Sequence, residues 1–504
     1  MNGSLSKFFK ITLVFLVTLF SHFCFSQSSY YKEPYRLQFH FTPPEKWMND
    51  PNGLVFFNGK YHLFYQYYPE DTIWGPMHWG HAISADLLHW EHLPIALYPD
   101  KLGWIFSGSA VIDKDNTAGF GKDAMIAVFT YHNDEIWKAG NKNTESQGIA
   151  YSLDEGKTWT KYAANPVLNN SGEQDFRDPK VFWNSAISKW NMVLAVGDKI
   201  KIFSSPNLKQ WQFESDFKPQ MDEKELGVWE CPDLFPMKIA SSNETKWVMI
   251  VNHGDHAPNG GSGTRYFVGD FDGKTFTPKQ KAVWMDYGMD FYAAVTFSNV
   301  PDEKMILLGW MSNWKYAVKV PTEKWRSAMT LPREMSLIKE KDTYYITQNP
   351  ISQYNTLLKP VLDLDNVSMP FMKKEIDFSQ TEVKVNLGEA KDIIFSFSNT
   401  KGEVFTVTIS GNNVITDRSN SGKKEFSEHF AAKPQLMPIG TEKITSVQMI
   451  LDKSSIEILL NNGKYSMTNL FFPTEDYSML SVITKDNLPL KNIKINQVSG
   501  VWNK

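Results

Sequence analysis

Three short motifs each place an acidic residue beside a proline and ahead of an apolar run. They read "NDPNGLVF" with Asp50, "RDPKVFW" with Asp178 and "ECPDLFP" with Glu230. Cleavage of a glycosidic bond requires two carboxyl groups, one to protonate the departing oxygen and one to attack the sugar or activate water. A third carboxylate can bind hydroxyl groups and favour a cationic transition state. Since burial and mutual repulsion can separate the pKa values of such groups, these residues form a candidate catalytic trio.

The alternative for any one of these motifs is a simple turn or cap, because Asp-Pro is ordinary turn chemistry. Three copies at corresponding points of a repeat favour the catalytic interpretation. Glu230, however, lies one residue further from its proline than Asp50 and Asp178 do. In a regular strand that offset would point the side chain to the opposite face, so a bulge or turn is expected beside Glu230.

The surrounding chain is predicted to be almost entirely β. Short runs of Val, Ile, Phe, Tyr and Trp alternate with Gly, Asn, Asp and Pro, and "GLVFFNGKYHLFYQYYP" predicts a hairpin with an Asn58-Gly59 turn. "VFWNSAISKWNMVLAV" and "LFPMKIASSNETKWVMIV" repeat that plan.

A second repeat places Ser six or seven residues before Trp. It occurs as "SADLLHW", "SLDEGKTW" and "SPNLKQW", with "GDFDGKTF" as a degenerate copy. The copies lie roughly 50–70 residues apart, which is the scale of one four-stranded propeller blade with its loops. We therefore predict a five-bladed β-propeller over residues 30–340, in which corresponding strand positions converge on one axis. An irregular β-sandwich with coincidental Trp spacing is the alternative.

The pattern changes after residue 340. "TQNPISQYNTLLKPV" indicates a polar linker, placed at residues 341–358, and the strands beyond it alternate regularly and contain little Trp. This texture predicts a separate antiparallel β-sandwich over residues 359–504. The predicted fold class is all-β, a five-bladed β-propeller followed by an antiparallel β-sandwich.

The first 26 residues have the pattern of a signal peptide, with Lys7 and Lys10 before the apolar run "ITLVFLVTLF" and a cut before Gln27. That run is short for a membrane span, so we expect a secreted protein with no membrane span; a membrane anchor and a lipid-modified Cys24 are the alternatives. Cleavage would leave Cys231 alone, without an intrachain disulfide. The formal net charge of −4 and the absence of a basic block exclude nucleic acid as an expected partner.

Aromatic residues make up 14% of the chain, including 17 Trp, and several lie near the trio motifs. Sugar rings present apolar faces that stack on aromatic rings, although core packing is the alternative for each residue. Trp47, Trp74 and Trp314 are candidate stacking residues, while Gln66, Ser107 and Arg177 are candidate hydroxyl ligands. The histidines at positions 78, 81, 89, 92, 253 and 256 lack a recognised metal-binding pattern, so no metal and no cofactor are expected.

With these motifs assembled, the chain resembles glycoside hydrolase family 32, the β-fructosidases. "WMNDPNG", "RDP" and "WECPDLF" match that family's signature trio, and "FSGSAV", "DYGMDFYAAVTF" and "GWMSNWKYA" are also similar to it. The likeness covers nearly the whole catalytic region and is strongest to exo-acting levanases and inulinases of bacteria and fungi. The resemblance implies a propeller followed by a sandwich, and removal of terminal β-D-fructofuranosyl units from fructan polysaccharides (levan, inulin) or sucrose by a retaining mechanism.

The resemblance also implies roles for individual residues. Asp50 would be the nucleophile, Glu230 the general acid and then the general base, and Asp178 the residue that binds fructose hydroxyls and stabilises the transition state. The residues implied to bind the terminal fructosyl unit are Trp47, Asn49, Gln66, Trp74, Phe106, Ser107, Arg177 and Trp314, with Asp286 and Tyr292 as further candidates.

Three other functions stay open at this point. A fructosyltransferase of the same fold would pass the fructosyl group to a sugar rather than to water. An inverting five-bladed arabinanase or xylosidase also uses an acidic trio. A fructan-binding protein on a former hydrolase scaffold would bind without releasing fructose.

Overall fold

The strand-rich pattern of the sequence is realised in the computed structural model, which describes residues 31–219 and 227–502. The signal peptide predicted for residues 1–26 lies outside the described residues. In those two ranges no helix is both long enough and apolar enough to cross a membrane.

Five antiparallel sheets follow one another along the chain and form the blades of the predicted propeller. Their first strands, β1, β5, β9, β13 and β18, pack side by side as the innermost ring. The strands are, in blade I, β1 Lys46–Phe57, β2 Lys60–Tyr68, β3 His78–Ser84 and β4 Trp90–Leu97; in blade II, β5 Trp104–Asp113, β6 Ala124–His132, β7 Glu145–Ser152 and β8 Thr160–Lys161; in blade III, β9 Phe176–Asn184, β10 Lys189–Val196, β11 Lys199–Ser205 and β12 Gln212–Phe217; in blade IV, β13 Trp229–Lys238, β14 Thr245–His253, β15 Gly263–Phe271, β16 Phe276–Pro278 and β17 Val283–Trp284; and in blade V, β18 Tyr292–Thr296, β19 Met305–Met311, β21 Ala328–Met329, β22 Arg333–Glu340 and β23 Thr343–Pro350.

The ring is closed by contacts between the first and last blades. The short strand β20 (Trp325–Arg326), which follows β19 in the chain, pairs in parallel with the start of β1. A second parallel bridge joins Val55 to Ser298. These pairings fix β1 near both of its ends, and therefore the position from which Asp50 projects.

The repeated Ser…Trp motif forms the turn between the third and fourth strands of blades I to III. In each copy the indole N–H of the Trp donates to the carbonyl oxygen three residues earlier, at 3.0 Å. The acceptor is always a residue with positive φ: Leu87 (68°), Gly156 (79°) or Leu208 (61°). The motif therefore stabilises the outer edge of each blade, and the internal repetition inferred from it is confirmed.

The C-terminal part is a sandwich of two six-stranded antiparallel sheets, with orders β24-β35-β26-β31-β32-β33 and β25-β34-β27-β28-β29-β30. Phe395 and Phe397 from one sheet and Ile456 and Ile458 from the other belong to one buried cluster. The strands are β24 Leu358–Val367, β25 Phe371–Lys374, β26 Thr381–Asn386, β27 Ile393–Ser398, β28 Val404–Ser410, β29 Asn413–Asn420, β30 Gln435–Pro438, β31 Ser446–Asp452, β32 Ser455–Leu460, β33 Tyr465–Leu470, β34 Met479–Thr484 and β35 Leu490–Val498.

Helices are few and short among the described residues. The α-helix α1 spans Asp134–Lys138 in blade II. The 3₁₀ turns are Pro301–Glu303, Ala317–Lys319, Ser352–Leu357, Phe378–Gln380 and Lys485–Asn487.

The linker predicted for residues 341–358 is wrong. Strand β23 occupies Thr343–Pro350 and pairs with β22 as the outer edge of blade V. Its Tyr344 and Ile346 are buried in the propeller core, and the following 3₁₀ turn Ser352–Leu357 buries Tyr354 and Leu357. The polar residues of this segment alternate with these apolar ones, so its composition suggested a linker although its period is that of a strand.

A buried polar network joins the propeller to the sandwich. His40 contacts two sandwich carboxylates, with Nδ1 2.8 Å from Asp452 Oδ2 and Nε2 2.8 Å from Glu457 Oε1. Arg333 of β22 donates from Nε to Glu457 Oε2 at 2.9 Å. Burial alone would lower the pKa of His40, but the two carboxylates raise it to about 9. Burial would raise the pKa of Glu457, but Arg333 and His40 lower it to about 2, so the network consists of charged groups.

We predict that His40→Gln lowers the melting temperature most at acidic and neutral pH. The stabilisation from the protonated imidazole is complete below its ordinary pKa of 6.5 and is lost as pH rises through about 9. Thermal unfolding of wild type and variant from pH 6 to pH 10 measures this: the difference in melting temperature should shrink with rising pH.

The matched control for this prediction is His89→Gln. His89 pairs with Asp86 at 2.7 Å, but both side chains are about one-third exposed, so its loss should change the melting temperature little at any pH. A His40→Gln effect of constant size from pH 6 to pH 10 would contradict the charged state of the network.

Candidate active site

The three acidic residues of the predicted trio meet in one pocket of about 460 Å³. Cys231 lies between two of them: its Sγ is 3.5 Å from Asp50 Oδ2 and 3.6 Å from Asp178 Oδ2. Its backbone N–H also donates to Asp178 Oδ2 at 2.9 Å. Since Glu230 directly precedes Cys231 and lines the same pocket, carboxyl groups from blades I, III and IV converge at one end of the ring.

Blades III, IV and V each interrupt the pairing of their innermost strand in the same way. A paired residue is followed by a residue with positive φ, and pairing resumes three positions after the first. The paired residues are Arg177, Glu230 and Tyr292, and the residues that follow them are Asp178 (φ 64°), Cys231 (42°) and Ala293 (51°). A bulge of this kind redirects side chains, as the offset of Glu230 required.

This register corrects one expectation about the trio. Glu230 does not occupy the position that corresponds to Asp178; Cys231 does, and Glu230 corresponds to Arg177 and Tyr292. These three neighbours form a hydrogen-bonded row across the blades. Arg177 Nη2 donates to Glu230 Oε1 at 3.0 Å, and the Tyr292 hydroxyl donates to Glu230 Oε2. The carboxyl group of Glu230 is therefore oriented through both of its oxygens.

Asp50 is positioned by a similar interruption in blade I, between Met48 and Pro51. Blade II is interrupted between Ile105 and Gly108, and there Ser107 donates from Oγ to Asp50 Oδ2 at 2.8 Å. Within the described part of the chain, Asp50 Oδ1 is buried and has no hydrogen-bond partner. The Asp50 carboxylate is thus held by Ser107 through Oδ2.

The electrostatics of the pocket favour retention of a proton. Burial raises the pKa of Asp50, and the charge of Glu230 raises it further. Burial also raises the pKa of Asp178, to about 8, with Arg177 acting against the shift and the other two carboxylates adding to it. The trio therefore keeps at least one proton at neutral pH, so a proton donor and a carboxylate can coexist in one pocket.

Arg177 supplies positive charge beside the trio. Burial would lower its pKa, but Glu145, Glu230 and Asp178 raise it well above the ordinary value. Its Nη1 donates to Asp175 Oδ1 at 2.6 Å and to Glu145 Oε1 at 3.3 Å. Across residues 31–219 and 227–502, no three His, Cys, Asp or Glu side chains are grouped so that they could hold a metal ion.

Most of the predicted sugar-binding residues line this pocket. They are Asn49, Gln66, Trp74, Phe106, Ser107, Arg177 and Trp314. Trp47 lies behind the wall: it is fully buried, donates from Nε1 to Asn49 Oδ1 at 2.8 Å, and stacks on Trp314 with centroids 6.1 Å apart. Tyr292 reaches the site through Glu230. Trp47 and Tyr292 therefore orient groups that face the pocket.

Asp286, a further predicted sugar ligand, is not in the pocket. Its carboxylate accepts from the backbone N–H of Thr468 at 2.8 Å and from Thr468 Oγ1 at 2.7 Å, and it pairs with Arg333 at 3.4 Å. The adjacent Gly288 lies so close to β33 that a Cβ would stand 2.0 Å from the Thr468 carbonyl oxygen. Residues 286–290 thus form the seam with the sandwich, which the sequence of the propeller alone could not indicate.

Several lining residues were not predicted from the sequence. They are His132, Trp137, Gly140, Asn141, Lys142, Thr144, Glu145, Gln174 and Asp175. Most lie between β6 and β7, in "HNDEIWKAGNKNTE", which has neither the acidic-proline motif nor a strand period. The one available signal was Trp137 in an otherwise polar segment.

The seam position of Asp286 leads to a prediction. Asp286→Asn should lower the free energy of unfolding by roughly 3–5 kcal/mol, because it breaks a buried ion pair and turns an amide toward hydrogen-bond donors. The KM of the catalysed reaction at 20 °C should change less than twofold. Denaturant unfolding and steady-state kinetics measure the two quantities.

Trp74→Ala is the comparison for this prediction, since Trp74 is a partly exposed lining residue. It should raise KM and leave the unfolding free energy nearly unchanged. If Asp286→Asn raised KM and left the free energy of unfolding unchanged, Asp286 would be a substrate-binding residue, contrary to this prediction.

Comparisons with known proteins agree with the resemblance to glycoside hydrolase family 32. The family model described as "Glycosyl hydrolases family 32 N-terminal domain" matches residues 40–350, and the model described as "Glycosyl hydrolases family 32 C terminal" matches residues 339–497. A levanase of Bacillus subtilis is 43% identical over 98% of this chain and 75% of its own length, and an extracellular exo-inulinase of Aspergillus niger is 36% identical over 94% and 96%. Among solved structures, an exo-inulinase from Aspergillus awamori has a TM-score of 0.85 at 35% identity, covering 94% of this chain and 100% of its own. A β-fructofuranosidase from Schwanniomyces occidentalis, complexed with fructosyl-erythritol, has a TM-score of 0.83 at 32% identity, covering 94% and 99%.

Proposed function

The chain belongs to glycosyl hydrolase family 32 and is a glycosidase of the β-fructosidase type, and from this premise we propose that it is a secreted enzyme releasing terminal β-D-fructofuranosyl units from levan, inulin and sucrose. The observation that carries the proposal is the convergence of Asp50, Asp178 and Glu230 in one pocket beside Arg177. Secretion is supported by the signal-like N-terminal sequence and by the extracellular relatives.

In the first step, Asp50 attacks C2 of the terminal fructosyl unit. A bond forms between the carboxylate oxygen and C2, the bond from C2 to the glycosidic oxygen breaks, and Glu230 gives its proton to that oxygen. Ser107 donates to Oδ2 of Asp50 and so holds the attacking carboxylate in place. The product of this step is a fructosyl-enzyme ester and a free leaving sugar.

In the second step, Glu230 takes a proton from water as the water oxygen attacks C2. The ester bond to Asp50 breaks, fructose leaves and the carboxylate is restored. The Tyr292 hydroxyl can either donate or accept, so it can stay bonded to Glu230 in both protonation states. This contact keeps the same carboxyl group oriented for both proton transfers.

Asp178 stabilises the positive charge that develops on the sugar ring in both steps. The Cys231 N–H fixes its Oδ2, and the Arg177 guanidinium counteracts the rise of its pKa. With the proton that the trio retains on Glu230, Asp178 is ionised, and its carboxylate can accept hydrogen bonds from fructose hydroxyls and favour the oxocarbenium-like transition state.

Substrates with different leaving groups separate the roles of Asp50 and Glu230. Asp50→Asn should lower kcat by ~10⁴-fold or more on both sucrose and an aryl β-fructofuranoside, since it removes the nucleophile. Glu230→Gln should lose roughly 10²–10⁴-fold on sucrose. On the aryl substrate, whose phenolate leaves without protonation, it should give a burst of about one phenolate per enzyme and then slow turnover.

Stopped-flow absorbance measures the burst, and circular dichroism checks that each variant is folded. Absence of the phenolate burst in Glu230→Gln, or turnover near wild type in Asp50→Asn, would contradict the assigned roles.

Products followed over time test the mode of action. With inulin or levan we expect free fructose from the first time points, as exo-acting cleavage would release it. Early oligosaccharides would indicate endo cleavage. With concentrated sucrose, oligosaccharides longer than the donor would indicate a fructosyltransferase. Chromatography of all three reactions distinguishes these outcomes.

A further inference from the structure

One large aromatic side chain at the pocket has no role in the mechanism above. Trp137 lies on α1, between β6 and β7, and lines the pocket while 59% of it is exposed. Exposure of so much apolar surface is unfavourable in the unliganded protein, and no residue of α1 is buried. Trp137 is therefore not a core residue, and its indole is available to a ligand that enters the pocket.

Aromatic rings connect Trp137 to the wall of the catalytic pocket. The Phe106 ring, which lines the pocket beside Ser107, stacks on His132 with centroids 4.2 Å apart and planes 8° apart. The His132 ring lies 6.3 Å from that of Trp137. Two ring-to-ring contacts thus link Trp137 to the Phe106 wall of the pocket, and its exposure places it at the rim.

The segment that carries Trp137 is fixed although it lies at the surface. Asn133 caps α1 by accepting from the Ile136 N–H at 3.0 Å, and its own N–H donates to the Thr144 carbonyl oxygen at 2.7 Å. Asn170 of the next blade connection donates to the Lys142 carbonyl oxygen at 3.3 Å. A platform held at both ends binds a ring with little loss of conformational entropy.

Polar groups from the same region complete the rim. Asn141, Lys142 and Gln174 line the pocket together with Trp137. An indole face beside amide and ammonium donors suits a sugar ring, which has an apolar face and hydroxyl groups at its edge. The chemistry of the rim therefore fits a neutral oligosaccharide chain.

We propose that Trp137 forms an outer subsite that stacks on the third sugar unit of a fructan, two units beyond the terminal fructosyl group. The inference rests on the proposed function. It assigns the preference for polymeric over disaccharide substrates to a residue that takes no part in bond cleavage. Sucrose, with two rings, does not reach this subsite, whereas a trisaccharide and all longer fructans do.

The test compares Trp137→Ala with wild type on sucrose and on fructosyl-extended trisaccharides of both β-2,1 and β-2,6 linkage. We expect kcat/KM on the trisaccharides and on polymer to fall roughly 3- to 10-fold through KM, with kcat and sucrose hydrolysis unchanged. Trp137→Phe, which retains a ring, should restore part of the loss. Because Trp137 is exposed, melting temperatures should match that of wild type.

Trp183→Ala is the matched control, since Trp183 is also an exposed tryptophan of the propeller but does not line the catalytic pocket. It should leave the ratio of trisaccharide to sucrose hydrolysis unchanged. An equal loss on sucrose and trisaccharides in Trp137→Ala, or no loss on either, overturns the proposal. Absence of any fructoside cleavage by wild type would instead overturn the proposed function.

Discussion

The whole arrangement depends on holding three carboxyl groups close together in a buried pocket. Burial and mutual repulsion raise the pKa values of Asp50 and Asp178, so the trio retains a proton at neutral pH, while Arg177 beside it lowers the cost of the remaining negative charge. Because each carboxyl group comes from a different blade, no local element can maintain their spacing. The closed ring of innermost strands maintains it, and the bulges in those strands point the side chains into the pocket. Burial, with the repulsion between the carboxylates adding to it, thus makes one of these groups an acid at neutral pH.

Local patterns predicted the parts of the structure that local interactions determine. The Asn58-Gly59 turn, with both residues at positive φ, joins β1 to β2 as expected, and the repeated Trp turns identified the blades. The expectations about side-chain position were wrong where contacts with residues distant in the sequence determine that position. Asp286 sits in a family-like motif, but its partner Thr468 lies 182 residues away. The expectation that Glu230 corresponds to Asp178 was wrong. The distance from a proline does not determine which residues occupy the same position in two blades; the pairing of the strands does, and it places Cys231 at the position that corresponds to Asp178. The α1 segment had no periodicity from which its place at the pocket could be read.

The sandwich contributes to the site without touching it. Residues 286–290 lie along β33, with the Tyr287 N–H donating to the Ser466 carbonyl oxygen and the Asp290 N–H donating to that of Thr468. Arg418 pairs with Asp290 at 2.6 Å. Two residues after Asp290 the chain reaches Tyr292, the hydrogen-bond partner of Glu230. The second domain therefore anchors the segment that leads directly to the group orienting the proposed acid.

This seam also sets the order in which the molecule can be completed as it is synthesised. A chain growing from its N-terminus contains all three carboxylates once residue 230 has been added, and the whole propeller once residue 350 has been added. His40, Arg333 and Asp286 must then wait for Asp452, Glu457 and Thr468, which lie more than 100 residues further on. Until those residues arrive, His40, Arg333 and Asp286 lack their sandwich partners, and the anchor for Tyr292 is missing. The catalytic half of the protein is thus translated first, but its contacts are complete only after the sandwich has been added.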